Sequence, residues 1–213
     1  MIRVFIADDH AIVRAGLKRI LAEHPDMKIV GEAADGDETL AALEDLGADV
    51  LLLDVSMPGP GVLEVIGRLR ARQTRPSILV LSVHAEEQYA VRTLRAGAFG
   101  YLMKDRTPEE LVDAIRKVRA GGRYISESLA DKLALDLVSD EDRRPHEKLS
   151  NREYEVMLGL VAGQASKEIA RRLALSPKTI ATYRARVLDK LSLETTADLI
   201  RYAIANDLAP SSR

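Results

Sequence analysis

The sequence predicts an α/β domain on a doubly wound, five-stranded parallel sheet, followed by a small all-α domain. Short apolar runs alternate with helical patterns over the first 122 residues, whereas only helical patterns follow Leu149. Charge divides the same way. Residues 1–142 carry a net −7 and residues 145–213 a net +3, which suits two modules with different partners.

Five segments read as strands: Ile2–Ala7, Lys28–Glu32, Val50–Leu53, Ser77–Ser82 and Gly100–Met103. The nearly continuous apolar run at Val50–Leu53 suits a strand buried on both faces. Between and after the strands, helical periodicity covers 11–24, 37–46, 61–72, 87–97 and 107–121. In the last of these, Thr107 is the expected N-cap, Pro108 takes the first helical position and Glu110 supplies the capping-box acid. Gly121-Gly122 ends it. Ser126–Val138 reads as an amphipathic helix, and the polar, charged stretch 139–146 as the end of a linker. The remaining helices are 151–163, 166–174, 177–191 and 195–207. The expected division is therefore 1–122, a linker at 123–146 that includes a helix, and 147–213.

With no cysteine, disulfides and thiolate metal sites are excluded. No apolar run reaches the roughly 18 residues that span a bilayer. The N-terminal residues lack the charged start and long apolar stretch of a signal peptide. The expectation is a cytoplasmic protein with no membrane partner.

Asp8-Asp9 follow the first strand and Asp54 the third, so a parallel sheet brings three carboxylates to one edge. Such a cluster needs a cation, and hard oxygen ligands point to Mg²⁺. Ser82 ends the fourth strand and Lys104 follows the fifth, adding a hydroxyl and an ammonium to the same edge. These groups suit phosphoryl transfer to a carboxylate, with Asp54 as nucleophile and Ser82 and Lys104 hydrogen-bonding the phosphoryl oxygens. Singly, each has an ordinary structural explanation; four strand ends carrying the full set do not.

The segments Ala7–His10, Leu53–Gly59 and Ala96–Lys104 resemble receiver domains of two-component response regulators, which have a flavodoxin-like fold. The resemblance implies that Asp54 accepts a phosphoryl group from a sensor histidine kinase. It further implies that Asp9, Asp54 and the backbone carbonyl of Ser56 hold Mg²⁺, with Asp8 reaching it through water. Ser82 and Tyr101 then form the switch pair. One departure stands out: many relatives have Asn or Asp then Gly after Met57-Pro58-Gly59, where this chain has Pro60-Gly61.

In the second part, Ser150 or Asn151 can cap a helix that carries Glu153 in its first turn, and Gly163 closes it. Ser166–Leu173 reads as a short helix, Ala174-Leu175 as a turn, and Ser176-Pro177 as the start of the next helix. Two helices joined this way are helix-turn-helix geometry. Ile169, Leu173, Leu175, Ile180, Val187, Leu188 and Leu191 fall on the inner faces. Lys178, Thr179, Thr182, Tyr183, Arg184 and Arg186 fall largely on the outer side, where they suit phosphates and base edges.

The wording Leu149-Ser150-x-Arg152-Glu153, Gly163–Ala170, Leu175–Ile180 and Lys190-Leu191 resembles the LuxR-type helix-turn-helix. A receiver joined to that module is a response regulator of the NarL/FixJ type. The resemblance implies that Ala181, Thr182 and Ala185 face bases, that Thr179 and Lys190 lie near phosphates, and that the last helix pairs in a dimer. Lys167, on the preceding helix, joins the candidate contacts. Many relatives have Lys and His where this chain has Ala181 and Tyr183, so Arg184, Arg186 and Lys178 are expected to carry more of the affinity.

The expected function is a transcription factor, not an enzyme, whose phosphorylation at Asp54 controls dimerisation and promoter binding. Its expected partners are a sensor kinase, double-stranded promoter DNA, a second copy of the chain and RNA polymerase. Two alternatives stay open at this stage: an aspartyl-phosphate phosphatase and a DNA-binder that works without phosphorylation.

Overall fold

The computed structural model describes residues 1–72, 76–83, 87–126, 129–130, 144–173, 175–206 and 208, leaving aside the side chains of residues 87, 88 and 151. Most of the helix expected at Ser126–Val138 and of the stretch at 139–146 lies outside the described residues. The chain divides into two compact units, the first comprising residues 1–85 and 89–127 and the second 86–88 and 128–213.

The first unit contains β1 (Ile2–Ala7), α1 (Ala11–Ala22), β2 (Met27–Ala33), α2 (Gly36–Asp45) and β3 (Val50–Asp54). It continues with α3 (Val62–Arg70), β4 (Ser77–Ser82), α4 (Glu87–Ala96), β5 (Gly100–Met103) and α5 (Pro108–Arg119). All five strands are parallel, in the order β2-β1-β3-β4-β5. The order reverses between β1 and β3, so their carboxyl ends flank the crevice where doubly wound sheets place their sites.

Burial follows from that arrangement. Val4, Ile6, Val50, Leu52 and Leu79 pack with Leu17 and Leu21 of α1 and with Leu111, Ile115 and Val118 of α5. Leu51 and Leu53 point to the opposite face and are also fully buried, so helices cover both sides. Complete burial of Val4–Ile6 and Val50–Leu53 contributes roughly 1.5–3 kcal/mol per large side chain relative to exposure.

Two strands run longer than their apolar patterns. A register shift between Val4 and Phe5 leaves β2 with one residue more than β1, which breaks its alternation. Gly31 lies beside Phe5 there, and a Cβ on it would sit 2.6 Å from the ring. The capping of α5 is half as expected. Thr107 Oγ1 accepts from Glu110 N at 3.3 Å, but the Glu110 carboxylate turns to Arg106 Nε, 3.8 Å away.

The second unit holds α6 (Asn151–Val161), α7 (Ser166–Arg172), α8 (Pro177–Lys190) and α9 (Thr196–Ala205). Ser150, rather than Asn151, caps α6 and forms a full capping box with Glu153. Gly163, at φ +73°, closes the chain's exit from that helix. Ser176 caps α8 with Pro177 at its start. Tyr154, Val156, Met157, Ile169, Ile180, Val187, Leu199 and Ala203 form the core. Gly159 lets α6 and α7 approach closely, since a Cβ there would lie 2.9 Å from Ile169 Cγ1. A 3₁₀ turn at Pro145–Lys148 adds a fully buried His146, whose Nδ1 lies 2.7 Å from Tyr202 Oη in α9. The first two residues of that turn fall within the stretch read from sequence as linker and the last two beyond it.

Candidate functional site

The carboxyl ends of β1, β3, β4 and β5 bring the predicted groups together. Asp8 and Asp54 are buried at 0% and 2% exposure, and Ser82 at 2%. Lys104 Nζ bridges the carboxylates, 2.6 Å from Asp8 Oδ2 and 2.9 Å from Asp54 Oδ1. Two backbone amides help hold them: His10 N donates to Asp8 Oδ1 at 2.9 Å, and Ser56 N to Asp54 Oδ2 at 3.2 Å. Asp54 is the last residue of β3 rather than the first of a loop, paired opposite Leu81. Pairing places Ser82 one position further along the neighbouring strand, and Lys104 N donates to Ser82 O at 2.7 Å.

Electrostatics at the pocket are finely opposed. Burial pushes the Asp54 carboxyl above the ordinary range and the charge of Asp8 pushes the same way, while Lys104 and Ser56 N pull it back. For Lys104, burial alone would weaken the ammonium, but its close contacts with the Asp8 and Asp54 carboxylates outweigh that and raise its pKa. Lys104 thus favours the ionised Asp54 carboxylate that burial opposes.

A cation fits the donor set. Single ligand atoms from Asp8, Asp9, His10 and Asp54 lie within 4.8 Å of one another. Asp8 Oδ2 and Asp9 Oδ1 are buried and accept no hydrogen bond of normal geometry, only the ion-pair contacts of Lys104 and His10. Carboxylate oxygens and a backbone carbonyl are the hard ligands Mg²⁺ takes. His10 is the group the sequence reading passed over. It stood in the Asp8-Asp9-His10 run, but adjacency could not show that its ring folds back to 2.6 Å from Asp9.

The loop after Asp54 is held from the side. Gly36 N at the start of α2 donates to Pro58 O at 3.0 Å, and a Cβ on Gly36 would meet Pro60 O at 2.6 Å. Gly59 supplies the left-handed residue at φ +88° that turns the chain there. Pro60 therefore lies against the start of α2, while Ser56 N bonds Asp54 Oδ2. Tyr101 is half-buried on β5 opposite Val80, with Tyr101 N donating to Tyr124 O at 3.0 Å.

In the second unit the helix pair has the expected faces. Ile169, Leu173, Ile180, Val187, Leu188 and Leu191 are buried and Leu175 half-buried. Lys167, Lys178, Ala181, Thr182, Arg184, Arg186 and Lys190 are exposed, while Thr179 and Tyr183 are half-buried. Several are already engaged. Lys190 Nζ donates to Glu153 Oε2 at 2.7 Å, Arg184 Nε to Thr196 Oγ1 at 2.8 Å, and Thr182 Oγ1 to Lys178 O at 3.1 Å. The Arg186 guanidinium lies 6.0 Å from the Tyr183 ring centroid. Glu153 is 4% exposed in its side chain. Burial opposes its ionisation, but Lys190 and Ser150 outweigh that and lower its pKa.

Residues 4–116 match the response regulator receiver domain, and residues 147–203 match the bacterial regulatory proteins of the luxR family. The chain belongs to the two-component response regulators. Among similar response regulators is UvrY of Escherichia coli (strain K12), 40% identical over 209 residues that span 98% of this chain and 96% of UvrY. GacA of Pseudomonas viridiflava is 39% identical over 213 residues, the whole of both chains. A solved structure of RcsB from Salmonella enterica serovar Typhimurium, bound to promoter P1flhDC in the presence of the phosphomimetic BeF₃⁻, shares 28% identity. Its TM-score is 0.70, and the match covers 96% of this chain and 98% of that one. This response regulator is of the NarL/FixJ type, a transcription regulator and not an enzyme. Among the described residues no helix is long and apolar enough to cross a membrane.

Proposed function

We propose that a sensor histidine kinase phosphorylates Asp54 and that this event controls dimerisation and promoter binding by the second unit. The observation that carries the proposal is the buried Asp54 carboxylate, held by Lys104 at 2.9 Å within a cluster of acids whose ligand atoms lie within 4.8 Å of one another. Asp9, Asp54 and the Ser56 carbonyl would hold Mg²⁺, with Asp8 behind them; the bound ion offsets charge on the phosphoryl oxygens. Asp54 Oδ attacks the phosphorus of the kinase's phosphohistidine as its P–N bond breaks and the imidazole leaves, Lys104 stays as counter-charge, and Ser82 hydrogen-bonds the new phosphoryl group. Tyr101, half-buried two strand positions before Met103, is the aromatic partner that carries the change to the surface.

The functional division is 1–122, a linker at 123–146 and 147–213, with α8 entering the major groove. Lys167, Lys178, Thr179, Ala181, Thr182, Tyr183, Arg184, Arg186 and Lys190 form the DNA-facing set. Within that set Lys190 shares its charge with Glu153 and Arg184 bonds to Thr196 Oγ1. The last helix, α9, pairs two copies so that the recognition helices meet half-sites about one DNA turn apart. RNA polymerase is the downstream partner, and the cytoplasm the place of action.

The test is incubation with Mg²⁺ and a small phosphoryl donor, followed by mass spectrometry and a promoter-binding assay. Wild type should gain one phosphoryl group and bind DNA more tightly, and Asp54→Ala should do neither. Equal modification of the two proteins would sink the reading.

A further inference from the structure

β5 ends at the acid pocket and begins against the segment that follows α5. Lys104, directly after β5, reaches Asp8 and Asp54, and Lys104 N donates to Ser82 O at 2.7 Å. At the other end Gly100 forms a parallel bridge with Tyr124, outside the five strands of the sheet. Tyr101 N donates to Tyr124 O and Tyr124 N to Phe99 O, both at 3.0 Å. Arg123 Nη1 donates to Ala98 O at 2.9 Å, and its guanidinium stands 5.9 Å from the Phe99 ring. Lys117 Nζ of α5 lies 5.8 Å from the Tyr124 ring. β5 is four residues long, so only about 13 Å of extended chain joins this pairing to Lys104.

We propose that Arg123-Tyr124 is a strap on β5 through which the phosphorylation state of Asp54 leaves the first unit. The proposal rests on the reading of Asp54 as the phosphoryl acceptor and names the route its signal takes. β5 is the last strand of the sheet, with β4 on one side and Tyr124 on the other. On the β4 side Gly100–Met103 pair in full with Leu79–Ser82, whereas the strap makes a single bridge. A displacement of β5 is therefore taken up at the strap. The first unit ends at residue 127, three residues beyond Tyr124, so release of the strap frees the start of the chain that leads to the second unit.

The direction follows from fit. Both backbone bonds at Tyr124 are formed while Lys104 is held between Asp8 and Asp54. A phosphoryl group on Asp54 places new charged oxygens beyond the present carboxylate, and these draw the ammonium, and with it the end of β5, towards themselves. Tolerance at the strap is small. A Cβ on Gly100 would stand 2.9 Å from Tyr124 O, and N–H···O bonds weaken steeply as their geometry is lost. Phosphorylation therefore loosens Tyr124 from β5, and the unphosphorylated chain holds it there.

Amide hydrogen exchange of the full chain in Mg²⁺, with and without a small phosphoryl donor, reads the strap directly. The Tyr101 and Tyr124 amides should exchange at least about tenfold faster after phosphorylation, while those of β2 change by less than about twofold. Tyr124→Pro deletes the N–H that Phe99 O accepts and should release the strap without a phosphoryl group. Asp54 should then be modified at a rate within about twofold of wild type, while promoter affinity before modification rises to that of phosphorylated wild type. Arg123→Ala, which loses the bond to Ala98 O and keeps both backbone bonds, should fall between the two and decides the matter where Tyr124→Pro does not fold. Unchanged exchange at Tyr101 and Tyr124 in phosphorylated wild type overturns the proposal. So does an undiminished response of promoter binding to phosphorylation in folded Tyr124→Pro, or in Arg123→Ala. If wild type takes up no phosphoryl group, the reading of Asp54 falls and the proposal with it; uptake without a change in exchange removes the proposal alone.

Discussion

Replacing Lys104 by Met should destabilise the first unit, by an amount that follows from what the ammonium holds together. Its Nζ stands 2.6 Å from Asp8 and 2.9 Å from Asp54, whose side chains are 1% and 3% exposed. Removing one partner of a buried pair costs about 3–5 kcal/mol, because the remaining charge is left without compensation. Here the bonds from His10 N and Ser56 N survive. Burial also lets Asp54 take up a proton more readily than an ordinary carboxyl. Both effects place the loss near the lower limit, about 3 kcal/mol at neutral pH. For a unit of this size that is roughly 10–15 °C in Tm.

The pH dependence has a definite sign. Because the folded pKa of Asp54 is raised, its ionised form opposes folding above that pKa, and the penalty disappears as the pH falls through it. The folded pKa of Lys104 is also raised, so its contribution is fully present below the ordinary lysine value and is lost only as the pH rises through the folded one. The gap between wild type and Lys104→Met should therefore be widest at neutral to mildly alkaline pH and narrow on acidification. Scanning calorimetry in metal-free buffer measures it, with the relevant transition recognised as the one added Mg²⁺ shifts. A loss under about 1 kcal/mol, typical of an exposed pair, would refute the reasoning. So would a gap that acid leaves unchanged.

In the second unit, Glu153→Gln removes the charge that both caps α6 and pairs with Lys190, and should cost about 1–2 kcal/mol. Since the folded pKa of Glu153 is lowered, this stability is present above the ordinary glutamate pKa and lost as pH falls through the folded one; urea denaturation at several pH values checks both points. Arg186→Ala should flatten the dependence of log K on log salt by about 1, measured by fluorescence anisotropy on promoter DNA; an unchanged slope would put Arg186 off the phosphates. Arg184→Ala should lower the slope similarly and also lower Tm, because Arg184 ties α8 to Thr196 at the start of α9.

Much of the pocket was legible in the sequence because strand ends are local features. A parallel sheet aligns its carboxyl ends, so Asp8, Asp54, Ser82 and Lys104 could be brought together without coordinates. The capping of α5 shows where local rules stop. Thr107 bonds to Glu110 N as expected, but the Glu110 carboxylate has a second partner in Arg106 and takes it. In α6 the same motif forms completely, and Lys190, 37 residues away, then joins Glu153. No periodicity reports that pairing, and the family resemblance implied only that Lys190 lies near phosphates.

The sequence by itself determined the alternation of strands and helices, the edge where the acids gather, and the buried and exposed faces of the helix pair. These depend on period, capping residues and chain order, all written locally. Only the tertiary structure decided which charges meet: Lys104 bridging two buried carboxylates, His10 folded onto Asp9, Glu153 taking Lys190, and Gly36 seating the loop at Pro60. Those contacts depend on positions set to a few tenths of an ångström by packing. A carboxylate in a dry pocket differs from the same carboxylate in water by the partners within about 4 Å of it.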